Sequence, residues 1–123
     1  MNTPVSFELA KLLKERGFDK ETYKSFRVSI NPDIKVGEPI PDKITYFRNV
    51  KESIAAPTIA EVVMWIYEKH GVWIWVSIEV GMHTIFCWQL SGENVSSNYK
   101  TNFKSPTGAY LAAIEHTLIN IVK

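Results

Sequence analysis

The sequence has little of the chemistry on which enzymes and metalloproteins depend. It contains one cysteine, Cys87, so it can form no internal disulfide and offers no cysteine pair for zinc or redox chemistry. The three histidines, at positions 70, 83 and 116, have no metal-ligand spacing among themselves or with Cys87. The six glycines are scattered and form no phosphate-binding loop. We therefore predict no cofactor, no metal site and no catalytic residue. An enzyme built on His83 or Cys87 is the alternative, but no acid or base is placed beside either residue.

An excess of charge of one sign is also lacking. The 123 residues carry 14 Lys and Arg against 13 Asp and Glu, a formal net charge of +1, which indicates neither nucleic acid nor membrane. No apolar run approaches the ~20 residues of a membrane span. The first residues, MNTPVSFELAKLLKERGF, lack the basic leader and long apolar core of a signal peptide. Together with the lone thiol, these absences predict a soluble, cytoplasmic protein that does not contact membranes.

Apolar residues at regular spacing are what the sequence does contain. They make up 46% of the chain, enough for the core of one domain. Three segments have the periodicity and the end signals of helices: residues 4–16, 58–70, and 105 to the end of the chain. Five segments are typical of strands, namely ETYKSFRVSI, ITYFRNV, the two apolar runs at 72–79 and 83–90, and Tyr99–Phe103. Residues 31–43 hold three prolines and a glycine and predict a loop.

This order of elements predicts an α+β fold. We expect an antiparallel sheet of three to four strands with helices packed on one face. From residue 58 onward the predicted order is helix-strand-strand-strand-helix, and an N-terminal helix and the Pro-rich loop precede it. The chain is predicted to be a single domain, in which residues 1–50 pack on the unit formed by residues 51–123.

The stretch VWIWVSIEVGMHTIFCWQL, residues 72–90, predicts a hairpin whose register decides which aromatic side chains share a face. A two-residue turn at Val80-Gly81 would place Trp73 opposite Trp88. A three-residue loop from Glu79 to Gly81 would instead use the glycine as a left-handed bulge residue, and we choose this register because Val resists positive φ. It places the even-numbered residues of both strands on the core side and directs Trp73 and Trp75 to the other side.

A third tryptophan, Trp65, falls in the middle of the polar stripe of the second helix. Three explanations remain open for Trp65, Trp73 and Trp75. The segment 18–50 could cover them, they could form a surface for a protein partner or for self-association, or they could stack nucleobases. We take the three residues as interaction candidates.

Two lysines are the candidates for nucleic-acid contact. Lys100 and Lys104 flank the N terminus of the last predicted helix, whose backbone amides can also receive phosphate. The basic residues between positions 11 and 27 are interrupted by acidic ones and predict a solvated, charge-balanced surface instead.

Three blocks of the sequence carry a resemblance that spans nearly the whole chain: SFELAKLLKERGF, APTIAEVVMWIYEKHGVWI and SPTGAYLAAIEHTL. In this order they resemble small proteins encoded by phages, prophages and other mobile elements. The resemblance implies an origin in such an element, and it brings no activity, cofactor or functional residue with it. The predicted role, a non-enzymatic accessory or protein-interaction domain of a mobile element, rests on a well-specified fold without a chemical constellation.

The order of elements from residue 58 is, in addition, similar to that of the double-stranded-RNA-binding domain. That likeness implies nucleic-acid binding as the alternative function. Where that family has a lysine cluster at the start of its last helix, this chain has KSPTG with the single Lys104.

Overall fold

A computed structural model describes residues 3–41, 49–81, 84–92, 95 and 99–122 of the chain. Within these ranges it has an α+β fold with three helices and two three-stranded antiparallel sheets. The elements in chain order are α1 (Phe7–Glu15), β1 (Lys24–Ser29), β2 (Ile40–Pro41), β3 (Val50–Ala55), α2 (Ile59–His70), β4 (Trp73–Glu79), β5 (Ile85–Ser91), β6 (Tyr99–Phe103) and α3 (Pro106–Asn120). The predicted fold class is confirmed, including the helix-strand-strand-strand-helix order after residue 58. No helix in the described ranges combines the length and the apolar character needed to cross a membrane.

The contacts of the chain group into two compact units, one formed by Pro4–Thr58 and the other chiefly by Ile59–Lys123. The strand β3 belongs to the first unit, although the sequence grouped residues 51–57 with the second. The strand predicted at ITYFRNV lies outside the described residues, apart from Asn49, which has a positive φ of 61°, and Val50, which begins β3. The single-domain organisation stays a prediction.

In the first unit, the strands are arranged in the order β2-β1-β3. Phe26 of β1 lies opposite Ile54 of β3, and both side chains are buried. The helix α1 begins three residues later than predicted, because the side chain of Ser6, and not that of Thr3, accepts a hydrogen bond from the Leu9 amide at 3.2 Å. On the surface, Lys14 and Glu52 form an ion pair at 3.0 Å, which lowers the pKa of the Glu52 carboxyl.

In the second unit, the strands follow the order β4-β5-β6, and both α2 and α3 pack against this sheet. Alternation along the strands explains which side chains face the helices. The even-numbered residues Val72, Ile74, Trp88 and Leu90 are buried. The ring of Trp88 lies 5.0 Å from the ring of His116 on α3, so this face of the sheet lies under the helix. The helix α3 begins as predicted, with Ser105 as its cap and Pro106 as its first residue.

The register of the β4–β5 hairpin differs from both predicted alternatives. Trp73 pairs with Ser91, Val76 with Trp88 and Glu79 with Ile85, so the connection between the strands is longer than two or three residues. Of the glycines that the structure describes, Gly17 and Gly71 have a positive φ and Gly81 does not, so the left-handed bulge predicted at Gly81 is wrong. A longer connection requires no left-handed residue at this position.

The predicted faces of the hairpin survive this change of register. The observed pairing still joins odd-numbered residues to odd-numbered ones, and side-chain direction depends on that parity alone. Trp73 and Trp75 therefore lie on the face opposite the helices, which we call the outer face of the sheet.

Candidate interaction surface

Three aromatic residues of the second unit lie together and reach solvent. On the outer face of the sheet, Trp73 is 40% exposed and Trp75 is 43% exposed. The ring of Tyr67, near the end of α2, contacts that of Trp73 edge to face, with 5.3 Å between the ring centroids and 82° between the ring planes. Tyr67 is itself 50% exposed. We call Tyr67, Trp73 and Trp75 the aromatic surface.

Local structure explains why the aromatic surface has a defined shape. The helix α2 ends at His70, and Gly71 has the left-handed conformation that turns the chain directly into β4. This tight connection brings Tyr67 of the helix beside Trp73 of the strand. Trp75 lies two residues further along β4 on the same face, opposite Gln89 of β5. Edge-to-face geometry is a preferred arrangement for aromatic pairs and contributes about 0.5–1.5 kcal/mol beyond burial of area.

The other end of the outer face is polar, and five side chains from three strands meet there: Ser77, Glu79, Cys87, Tyr99 and Thr101. The Tyr99 hydroxyl donates a hydrogen bond to the Glu79 carboxylate, and the Thr101 hydroxyl lies 3.5 Å from the other carboxylate oxygen. The Ser77 hydroxyl lies 2.9 Å from the Cys87 sulfur. We call this group the polar cluster. The cluster places hydrogen-bonding groups along one side of the aromatic surface.

We expect Glu79→Gln to lower the pKa of Tyr99. The hydrogen bond to the Glu79 carboxylate raises the pKa of the Tyr99 hydroxyl above its ordinary value. This contact therefore contributes to stability below the unfolded-state pKa of the tyrosine, and the contribution is lost as the pH rises through the folded-state pKa. Glutamine has a neutral amide in place of the negatively charged carboxylate, so it no longer favours the protonated form of the Tyr99 hydroxyl.

The measurement is an NMR pH titration of the tyrosine ring carbons, with the Tyr99 signal assigned by its absence in Tyr99→Phe. Glu115→Gln, which changes an exposed glutamate on α3, serves as the control and should leave the titration unchanged. An unchanged Tyr99 pKa in Glu79→Gln would show that the two side chains do not interact in solution.

The structure does not place the third interaction candidate on the surface. The side chain of Trp65 is 2% exposed, and its ring contacts that of His70 at 5.2 Å. Burial, together with the neighbouring Lys69, lowers the pKa of His70. Trp65 is therefore a packing residue of α2, and its assignment as a contact residue is corrected. Tyr67, which is exposed and contacts Trp73, takes its place in the surface.

Both nucleic-acid candidates are exposed. Lys100 lies in β6 opposite Trp88 of β5, and Lys104 lies between β6 and the N-terminal cap of α3. The Ser105 hydroxyl accepts a hydrogen bond from the Gly108 amide at 3.0 Å, so the helix's own cap already occupies one of its N-terminal donors.

Of the two residues named in the enzymatic hypothesis, the structure describes only Cys87. His83 lies outside the described residues. Cys87 is 2% exposed in the middle of the sheet, with the hydroxyl and the carbonyl of Ser77 near its sulfur. The part of the chain that the structure describes contains no group of three or more potential metal-binding side chains. The enzymatic assignment stays a matter of prediction.

Comparisons of the chain with protein-family models, with curated proteins and with solved structures found no match.

Proposed function

We propose that the chain is a non-enzymatic protein-interaction module that binds a partner protein through the aromatic surface of its second unit. The observation that carries this proposal is the exposure of Trp73 and Trp75, 40% and 43%, on the sheet face opposite the helices. Large aromatic side chains side by side in solvent form the kind of apolar patch that marks interaction sites.

The chemistry of the surface favours a protein as its partner. Tryptophan and tyrosine are enriched among the residues that dominate binding energy at protein interfaces. They supply a large contact area, and because each has only two side-chain torsion angles they lose little conformational entropy on binding. The ring contact with Tyr67 already restricts the side chain of Trp73. The polar cluster gives the surface a hydrogen-bonding border, as in interfaces that have an apolar centre and a polar rim.

The proposed role is that of an accessory protein of a phage or another mobile element. This part of the proposal rests on the three sequence blocks that resemble small proteins of such elements. An accessory role is compatible with an interaction surface on a compact α+β unit.

We expect Trp75→Ala to reduce partner binding by tenfold or more, because truncation of a central aromatic residue commonly costs about 2 kcal/mol or more of binding energy. Its exposure predicts a small effect on folding. The measurement is quantitative affinity capture from the native host, in which proteins retained by the wild type are compared with those retained by the variant.

Tyr23→Ala is the matched control, because Tyr23 is an aromatic residue of the first unit that is 69% exposed. The proposal requires that a defined protein is retained by the wild type and by Tyr23→Ala but lost with Trp75→Ala. Equal retention by all three forms would reject the aromatic surface as the binding site.

Nucleic-acid binding is the second candidate, favoured by the helix-strand-strand-strand-helix order and by the exposure of Lys100 and Lys104. Titration of labelled duplex RNA and DNA at low salt is the discriminating experiment, because electrostatic binding is strongest there. Retardation that weakens in Lys104→Ala but not in Trp75→Ala would favour this candidate, and absence of retardation would reject it.

A further inference from the structure

The second unit contains a cavity where the C-terminal ends of α2 and α3 meet. Its volume is about 610 Å³. Cavities that bind small molecules usually have volumes of roughly 300–1,000 Å³, so this one has room for a small organic ligand. We call it the helix-end cavity.

Part of the lining of the helix-end cavity is apolar. Four aliphatic side chains form this part, those of Val72, Val95, Ile121 and Val122. Val72 and Val122 are buried, and the Val95 amide donates a hydrogen bond to the Gly92 carbonyl at 3.3 Å. These side chains form a wall that can contact the apolar part of a ligand.

A close backbone approach fixes the position of this wall. A Cβ atom added at Gly92 would lie 2.8 Å from the carbonyl oxygen of Gly71, so the residue after β5 packs directly on the turn between α2 and β4. Glycine, which has no Cβ, permits this approach. The wall is therefore held by backbone contacts, which is typical of binding sites that are formed before the ligand arrives.

The other part of the lining combines an aromatic ring, a carboxylate and an imidazole, those of Tyr67, Glu68 and His70. The Glu68 side chain is exposed and forms no hydrogen bond or ion pair with the other described residues. Burial and the neighbouring Lys69 hold the pKa of His70 below its ordinary value, so its ring is uncharged at neutral pH. Among the described residues, the lining thus has one carboxylate and no positive charge.

The two helix ends add partial negative charge to the helix-end cavity. The helix α2 ends at His70 and α3 ends at Asn120, and the residues at and just after both ends line the cavity. The C-terminal end of a helix carries the negative pole of its dipole. Lys69 lies in the last turn of α2 but does not line the cavity, and the last turn of α3 has no basic residue. The charge around the cavity therefore favours a cation.

We propose that the helix-end cavity binds a small organic cation, an ammonium group attached to an apolar group. The ammonium group lies between the Glu68 carboxylate and the ring of Tyr67, and the apolar group contacts the aliphatic wall. Carboxylates and the faces of aromatic rings both attract ammonium groups. The proposal goes beyond the proposed function, because its ligand is a small molecule in a cavity and not a protein on the outer face of the sheet. Tyr67 belongs to both sites.

The first test uses three probes of similar shape and different charge: phenethylamine, 2-phenylethanol and phenylacetate. Each is titrated into the whole chain, and the dissociation constant is measured from the NMR chemical shifts of the backbone amides. We expect phenethylamine to shift the amides of residues 68–72 and 121–122 and to bind about tenfold more tightly than 2-phenylethanol, since the carboxylate and both helix dipoles act on its charge. Phenylacetate should bind more weakly than either. Equal binding of the three probes, or no shifts at these amides, would overturn the proposal.

The second test removes the carboxylate. Glu68→Gln should weaken the binding of phenethylamine by about threefold, a typical value for an exposed ion pair, and should leave the binding of 2-phenylethanol unchanged. Glu115→Gln, which makes the same change at an exposed glutamate of α3 outside the cavity lining, should leave both unchanged. Equal weakening in the two variants would reflect net charge alone and would reject Glu68 as the binding group.

The third test fills the helix-end cavity. Val95→Trp should weaken the binding of phenethylamine by about tenfold or more, because the indole would occupy the volume of the ligand. Undiminished binding to this variant would place the site elsewhere. Trp75→Ala should bind phenethylamine as the wild type does, and Glu68→Gln should retain the partner protein. Failure of this proposal and failure of the proposed function can therefore be told apart.

Discussion

Replacing Trp65 with alanine is expected to lower the free energy of unfolding by about 3–5 kcal/mol, the usual cost of removing a buried tryptophan side chain. Trp65 is 2% exposed, and it belongs to the buried side of α2 together with Val62 and Ile66. The variant loses the transfer free energy of the indole and leaves a cavity that the neighbouring side chains fill only in part. Chemical denaturation followed by far-UV circular dichroism measures the change without depending on tryptophan fluorescence.

The control for this experiment is the adjacent residue on the same helix. Met64 is 45% exposed, and Met64→Ala should change stability by less than about 1 kcal/mol, since alanine is a good helix former and little packing is lost. If the two variants were equally stable, Trp65 would not be a packing residue, and its original assignment to a contact surface would be restored.

The position of Trp65 shows what a helical pattern can and cannot predict. At about 100° per residue, the buried side chains of α2 run from Trp65 at one border to Val63 at the other, and Tyr67 falls just outside. The sequence pattern places Ile59, Val62, Val63, Ile66 and Tyr67 on the apolar arc, which is then about 140° wide, against about 160° for the buried side chains. The centre of the predicted arc lies about 50° closer to Tyr67 than the centre of the buried arc. Periodicity measures the width of the apolar arc, but the surroundings of the helix decide where its borders fall.

The order of the elements after residue 58 could be predicted because each of them carries local signals, whereas β2 lies inside the predicted loop 31–43 and β3 lies mostly beyond the strand predicted at 44–50. Ser105 and Pro106 define the start of α3, and Gly71 defines the end of α2 through its positive φ of 69°. The faces of the hairpin could be predicted as well, since alternation along each strand depends on parity and survives a change of loop length.

The register of the hairpin could not be predicted, because both of the loops that were compared are shorter than the observed connection. Choosing between them on the φ preference of Val80 and Gly81 assumed a short connection, and the observed pairing of Glu79 with Ile85 requires a longer one. The polar cluster was missed because its members come from three strands that are separated in the sequence. Its central contact joins Glu79 of β4 to Tyr99 of β6 across the intervening strand, and no local signal links two residues 20 positions apart.

The two tryptophans of the aromatic surface follow from the composition of β4. The strand β4 alternates tryptophan with isoleucine and valine, so both of its faces are apolar over much of its length. An antiparallel sheet can leave one of its faces in solvent, and in this sheet that face carries Trp73 and Trp75.

The second large effect is expected at Trp88, where alanine should also lower the free energy of unfolding by about 3–5 kcal/mol. Trp88 is 3% exposed on β5, lies opposite Val76, and contacts the ring of His116 on α3. It therefore links the central strand of the sheet to the helix above it. The measurement is the midpoint and slope of denaturant unfolding, because an unchanged slope shows that the same structure unfolds in both proteins.

Phenylalanine at this position separates packing from hydrogen bonding. The indole Nε1 of Trp88 is buried and has no hydrogen-bond partner among the described residues. Trp88→Phe removes this donor and keeps most of the apolar ring. The loss of ring volume is offset by relief of a desolvation penalty of about 1–3 kcal/mol. We expect the free energy of unfolding of Trp88→Phe to lie within about 1 kcal/mol of the wild-type value. It should therefore be well above that of Trp88→Ala. A phenylalanine variant as unstable as the alanine variant would mean that Nε1 donates a hydrogen bond in solution, and that this bond stabilises the fold.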